Sequence, residues 1–375
     1  MATRPEMTDR HDRSTIDTAS RTKRLPPEIF DLPVEKMRDG YYTDAYFNHA
    51  RAALLQDARR PRVVMQIFQK KLGHLGGMDE AIAILKLCSH DWEQLTVHAL
   101  YDGDLVEPYE TVMHIEGDYT LFAHLETAYL GVLARRTLIT TNVVRVLEAA
   151  NGKPIIFMPA RHDHHRVQTG DGYAAYVAGR IVGAPVGVTT DEQASWWGGK
   201  GVGTVPHSLI ASYGGNTVLA ATKFAEWSPE DLNVTVLVDF ANDSVNTALE
   251  VARALGPRLW GVRLDTSENL VDRSLWDEMG EFKPTGVNER LVRKVREALD
   301  ADGFEHVKIV VSGGFTVEKI AEFEAKDVPV DAYGVGSSLI RGQNDFTADV
   351  VMTDGRPSAK VGRRFRPNSR LELVT

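Results

Sequence analysis

Cysteine is nearly absent: Cys88 alone stands in 375 residues. A lone thiol excludes an intramolecular disulfide and fits a reducing compartment. It closes the apolar helical stretch 81–87, so a buried structural thiol is expected there rather than a nucleophile. Long hydrophobic runs are absent too. Without a stretch of about 18 apolar residues, no membrane-spanning helix is expected. The N-terminal residues lack an apolar signal core and carry Glu6, Asp9, Asp12 and Asp17, which speaks against a secretory or organellar leader. A cytoplasmic protein is the expectation. Basic excess is missing as well: 43 Lys and Arg face 52 Asp and Glu, for a net charge of −9. That excludes broad nucleic-acid or membrane-surface binding and leaves room for a local basic pocket. No Gly-x-Gly-x-x-Gly follows an early strand, and neither a Walker A loop nor a Gly-x-Ser-x-Gly elbow occurs. A Rossmann dinucleotide site, a P-loop and a hydrolase elbow therefore drop out.

What is present suits a soluble globular protein: 43% hydrophobic and 25% charged residues, with length enough for a large core in two domains. Residues 1–25 are polar and without hydrophobic period, and read as a mobile tail. Residues 26–120 read as an α+β domain, helical over 34–55 with a break at 40–43, strand-like over 62–70, helical over 76–87, and strand-like over 95–105 and 110–116. Residues 121–348 have a different texture. Two helices, 122–135 and 143–150, precede β runs at 155–158, 187–188, 235–238, 261–264, 309–311 and 332–335. Helical patterns at 172–182, 207–213, 245–255 and 288–300 alternate with them. Such repeated units imply a parallel sheet or barrel. Six strands fall short of the eight of an ideal barrel, so the fold expected is α/β, an irregular barrel beside the N-terminal α+β domain; a doubly wound sheet is the alternative. The tail 349–375 has strand-like ends and is expected to rejoin the first domain.

Each β run of the second block ends in residues that carry chemistry. At 307–339, two strand–glycine turn–helix units follow one another, ending in Ser312-Gly313-Gly314 and Gly334-Val335-Gly336-Ser337. Paired glycine turns late in an α/β barrel form phosphate cups, because amides approach the anion closely and a helix N-terminus adds its dipole. Arg161 opens the run Arg161-His162-Asp163-His164-His165-Arg166; it suits capture of carboxylate or phosphate, while a solvated loop is the plain alternative. Adjacent histidines cannot all face one metal. His207, in Gly203-Thr204-Val205-Pro206-His207-Ser208, is either structural or an acid, base or phosphate acceptor. Asp239 ends an apolar strand, where it can hold Mg²⁺ or a sugar hydroxyl; Asp243 reads as the next helix's N-cap. Arg263 and Asp265 share one face of a strand end, as a buried ion pair or a ribose-phosphate site.

Taken together and in order, these pieces resemble the nicotinate phosphoribosyltransferase family over residues 43–361. Thr43-Asp44-Ala45-Tyr46, Leu125-Glu126-Thr127, the Gly-Thr-x-x-His-Ser loop at 203–208, Asp239, Arg263-Leu264-Asp265-Thr266, Ser312-Gly313-Gly314 and Tyr333-Gly334-Val335-Gly336-Ser337-Ser338 carry the resemblance. It implies a type II phosphoribosyltransferase, working as a homodimer with shared active sites. The family joins nicotinate to phosphoribosyl pyrophosphate, with Mg²⁺ carried on the pyrophosphate and ATP as co-substrate through a phosphohistidine. By resemblance, His207 matches that histidine and Arg161 a basic residue near the base and pyrophosphate; Thr204 and Arg263 are further substrate-binding candidates, and the chemistry of an oxocarbenium-like step makes Asp239 and Asp265 the candidates to stabilise the ribose. Gly313, Gly314, Gly336 and Ser337 match the 5′-phosphate cup, with Ser312 and Gly334 as further substrate-binding residues, and Tyr46 matches an aromatic that stacks on the base from a partner subunit. The chain departs from the family's pattern at 162–166, at 195–200 and at Phe240-Ala241. A relative using nicotinamide or quinolinate, a non-catalytic phosphoribosyl sensor and a flavin-dependent barrel are the competing readings.

Overall fold

The computed structural model describes residues 23–375; the polar segment 1–25 thus falls almost wholly outside the described residues. The chain forms two compact units, one reaching to Leu133 and resuming over Asp345–Thr375, the other spanning Ala134–Asn344.

In the first unit, helices α1 (Val34–Arg38) and α2 (Ala45–Gln56) lead to strand β1 (Arg62–Gln69), short strand β2 (Gly73–His74), helix α3 (Met78–Cys88), and strands β3 (Thr96–Ala99), β4 (Leu105–Val106), which pairs with β2, and β5 (Thr111–Asp118). Gly77, at φ +81°, makes the left-handed entry to α3, a conformation glycine adopts without strain. The capping is supplied from afar: Asp102 accepts from Met78 N at 2.7 Å. Cys88 is fully buried, and burial pushes its thiol up to about 11, as expected of a packing thiol. The two motifs at 43–46 and 125–127 meet here. Asp44 N donates to Thr127 Oγ1 at 3.0 Å, and that hydroxyl donates to Asp44 Oδ2 at 2.9 Å.

Helix α4 (Glu126–Ala149) is a single 24-residue helix, where two were expected. No glycine or proline interrupts residues 136–142, and Thr137 and Thr140, poor helix formers by propensity, are buried. Packing overrides propensity there.

The second unit is built on six parallel strands: β6 (Ile155–Phe157), β7 (Val186–Val188), β8 (Val234–Leu237), β9 (Leu259–Leu264), β10 (Lys308–Val311) and β11 (Ala332–Val335). The order is β7-β6-β11-β10-β9-β8. Helices α5 (Gln168–Val182), α6 (Asp191–Ala194), α7 (His207–Ser212), α8 (Thr217–Trp227), α9 (Ser244–Leu255), α10 (Glu289–Ala301) and α11 (Val317–Ala325) lie between them. Strands β8 and β11 are buried at every position, which explains why neither carries a charged residue. The sheet's free edges are β7 and β8, and one segment touches both. Gly201 bridges Val188 and Val205 bridges Val236, both in parallel sense; Val202 N donates to Val188 O at 2.7 Å and Val205 N to Thr235 O at 2.8 Å. Residues 201–205 thus close the ring without being a regular strand, which makes the barrel irregular.

Strands β12 (Phe346–Thr353), β13 (Arg356–Pro357) and β14 (Glu372–Leu373) return to the first unit's sheet, in the order β13-β12-β1-β5-β3-β14. All its pairings are antiparallel. Among the described residues no helix is long and apolar enough to cross a membrane.

Candidate active site

Parallel strands bring the loops at their C-terminal ends to one side of the barrel. His207 stands at one such end because the 201–205 closure fixes the chain just before α7. Its Nε2 lies 3.0 Å from Asp239 Oδ1. Asp239 follows β8, and a tight turn with Asn242 at φ +54° carries the chain away from it. The histidine ring is 43% exposed and the carboxylate 7%. Burial raises the Asp239 carboxyl above its ordinary value, and the bond from His207 pulls it back. A carboxylate on Nε2 fixes that nitrogen as the donor and leaves the Nδ1 lone pair available.

A second network stands on the neighbouring strand ends. Arg263 Nε donates to Ser312 Oγ at 2.8 Å, its Nη1 to Thr204 Oγ1 at 3.4 Å and its Nη2 to Asp265 Oδ2 at 3.3 Å. Ser312 Oγ donates to Asp265 Oδ1 at 2.7 Å. Four predicted residues therefore form one cluster spanning β9, β10 and the closing segment. Burial depresses the Arg263 guanidinium; Asp265 and Asp239 raise it again, and Arg161 lowers it. Two arginines and two carboxylates thus act on the same region. Arg161 itself is exposed, in the turn Pro159–His162.

Of the two glycine turns, the first requires glycine. Gly313 and Gly314 have φ of +84° and +75°, and a Cβ on Gly313 would stand 3.3 Å from Asp265 Oδ1. A Cβ on Gly336 would lie 3.1 Å from His162 Cε1. Ser338 Oγ ties the turns together by donating to Phe315 O at 2.9 Å, while Ser337 Oγ accepts from Arg341 Nη2 at 3.3 Å. Gly334 sits inside β11, where its missing side chain makes room for Met158 and Ser312. Tyr46 lies in the first unit, on α2, 62% exposed.

Several residues with a part in this region escaped the sequence reading. His162 was submerged in a run of histidines, yet its ring faces the second glycine turn. Arg135 holds the 161–166 loop: its Nη2 lies 2.7 Å from both Asp163 Oδ2 and Asp171 Oδ2. Asp163 is kept below the usual carboxylate range, first by the His164 amide and then by Arg135. Asp243 does not cap α9 through its side chain; the buried Asp272 accepts from Ser244 N at 2.9 Å instead. Trp197 stacks on Tyr176 of α5 with centroids 4.9 Å apart, anchoring the glycine-rich loop that precedes the closing segment.

Among the described residues, no three or more His, Cys, Asp or Glu side chains are grouped to hold a metal ion. Asp239 and Asp265 offer hard oxygen donors of the kind Mg²⁺ accepts, as partial ligands to an ion brought in on a phosphate.

Comparison with known proteins converges on one group. The family described as "Quinolinate phosphoribosyl transferase, N-terminal domain" matches residues 44–137. A nicotinate phosphoribosyltransferase of Mycobacterium tuberculosis is 32% identical over 268 residues, 69% of this chain and 54% of that protein; the chain spans about half the length of the curated relatives it matches. A nicotinate-nucleotide pyrophosphorylase from Pyrococcus furiosus superposes with a TM-score of 0.76 at 33% identity, covering 92% of this chain and 85% of that one. Human nicotinic acid phosphoribosyltransferase shares the fold, with a TM-score of 0.63 at 17% identity over 84% of this chain and 76% of that one.

Proposed function

The chain belongs to the nicotinate phosphoribosyltransferase family, the type II phosphoribosyltransferases, and from that premise we propose that it condenses nicotinate with phosphoribosyl pyrophosphate to nicotinate mononucleotide and pyrophosphate, coupled to ATP. The observation that carries this reading is the pairing of His207 with Asp239 at 3.0 Å beside the network of Arg263, Asp265, Ser312 and Thr204.

In this reading the 5′-phosphate of the donor rests on the amides of the two glycine turns, away from the reacting carbon, which positions the sugar. The pyridine nitrogen supplies an electron pair to the anomeric carbon as the bond to pyrophosphate breaks. The leaving group takes the bonding pair, with Arg161, Arg263 and the Mg²⁺ it carries neutralising its charge. Asp239 and Asp265 stabilise the positive charge that develops on the ribose. No general base is needed, because the ring nitrogen of nicotinate carries no proton to remove. The Nδ1 lone pair of His207 attacks the terminal phosphorus of ATP, ADP leaves with the bonding pair, and water later takes the phosphoryl group from the histidine as inorganic phosphate. Exposed Tyr46 supports a homodimer in which each copy completes the other's site, and light scattering reads the copy number. The cytoplasm is the proposed compartment, read by cell fractionation.

A second reading has specific support. The quinolinate domain match and the pyrophosphorylase likeness, at 33% identity, favour a relative that takes quinolinate. Pyrophosphate release from nicotinate, nicotinamide and quinolinate, each with and without ATP, separates them. Turnover of nicotinate with ATP stimulation is expected. Turnover of quinolinate alone overturns the first reading, and no turnover of any base points to a ligand sensor.

A further inference from the structure

The first glycine turn already has a side chain against it. A Cβ on Gly314 would overlap Glu268 Oε1 and stand 3.1 Å from its Cδ, so the Glu268 carboxylate rests directly on the turn. Glu268 belongs to the loop after Asp265, 46 residues earlier in the chain. Its backbone is threaded closely, since a Cβ on Gly286 would come within 3.2 Å of Glu268 Cα. Lys319, on the first turn of α11, is attracted by Glu268, and its ammonium lies 4.3 Å from the centre of the Phe315 ring. The Glu268 carboxylate thus lies against the turn, with a lysine within electrostatic reach of it. Beside it, Thr266 is 2% exposed and its Oγ1 has no hydrogen-bond partner. A buried hydroxyl left unpaired is costly.

We propose that Glu268 is an internal stand-in for the donor's 5′-phosphate, which occupies the cup until the phosphate displaces it. This rests on the cup reading given above and adds a residue that sets donor selection. A phosphate dianion outcompetes a carboxylate monoanion for amides and an ammonium, because the attraction scales with charge. A ribosyl donor lacking the 5′-phosphate has nothing to drive the exchange. The displaced loop frees Lys319 to face the phosphate and lets Thr266 find a partner. Apparent affinity for the donor is reduced by the fraction of time the cup is occupied.

The test measures inorganic phosphate binding by calorimetry, and donor KM and kcat by pyrophosphate release, for the wild-type chain, Glu268→Gln and Glu268→Ala. Thermal melts verify that both variants are folded, as expected for an exposed residue. Both should bind phosphate about fivefold more tightly, the gain if the cup stands open about a fifth of the time. Donor KM should fall in step, with kcat not following it. Glu268→Asp, which keeps the charge on a shorter stem, should lie between. Unchanged or weaker phosphate binding in both neutral variants, with the wild type binding phosphate normally, overturns the stand-in and leaves the cup reading intact. Absence of phosphate and donor binding in all the chains overturns both.

Discussion

At the scale of single residues, the hydrogen bond from His207 Nε2 to Asp239 Oδ1 decides the most. It sets the tautomer, and so which ring nitrogen meets ATP. Asp239→Asn keeps the shape but offers Nε2 a side chain that also presents an N–H, so the ring loses its orientation. ATP-stimulated turnover should drop by about 10²-fold or more, while the slow ATP-independent rate changes less; single-turnover phosphorylation by labelled ATP measures the difference. Equal losses in both rates would place Asp239 on the ribose alone. Residues of this kind were legible because they sit at strand ends in short motifs, where sequence neighbours are also spatial neighbours. Glu268 and Arg135 were not. Each acts on a loop far away in sequence, and neither a single glutamate nor an Arg-Arg pair on a helix signals its target.

At the scale of elements, the six parallel strands were readable from short, mostly apolar runs, since strands buried on both faces show little alternation. The division of α4 into two was wrong because threonines weaken a helix in isolation while burial restores it. The closing segment carries no strand signal whatever: glycines stand at 201 and 203, and each edge is held by one bridge. Its placement depends on the packing of α5 against α6. A Cβ on Gly172 would overlap the Gln193 carbonyl and lie 2.7 Å from Gln193 Cα, and Gln193 forms the capping box that starts α6. Gly172→Ala should therefore destabilise the fold by about 1–3 kcal/mol despite the better helix propensity of alanine. A lower Tm by calorimetry is the expected result, and an unchanged one would mean that α6 shifts freely.

At the scale of the molecule, stability should have its optimum in mildly acidic solution. In the first unit, burial, with help from Asp349 and Asp44, raises the Glu126 carboxyl to about 7. The folded chain keeps that proton while the unfolded chain releases it near the ordinary value of about 4.3. Stability therefore falls as pH rises from the ordinary value to about 7. Burial acts oppositely on His114 and His124, each held down to about 4. The unfolded chain binds their protons below about 6.5, so stability also falls as pH drops from there. Asp102, raised by burial to about 8 in the same unit, acts in the same direction, so Glu126→Gln removes only the Glu126 share of the first effect. The variant should gain on the wild type by on the order of 2 kcal/mol between pH 5 and pH 8, read from urea midpoints at each pH. A difference that does not vary with pH would mean that Glu126 titrates normally.

The join at residues 201–205 has one more consequence. Two amides three residues apart, Val202 and Val205, are bonded to opposite edges of the same sheet, and His207 follows two residues later. Isotope exchange at these two positions is a built-in clock for the ring. If the barrel opens on one side only, one amide exchanges ahead of the other and names the hinge; if both exchange together, the clasp lets go as a unit and carries the histidine with it.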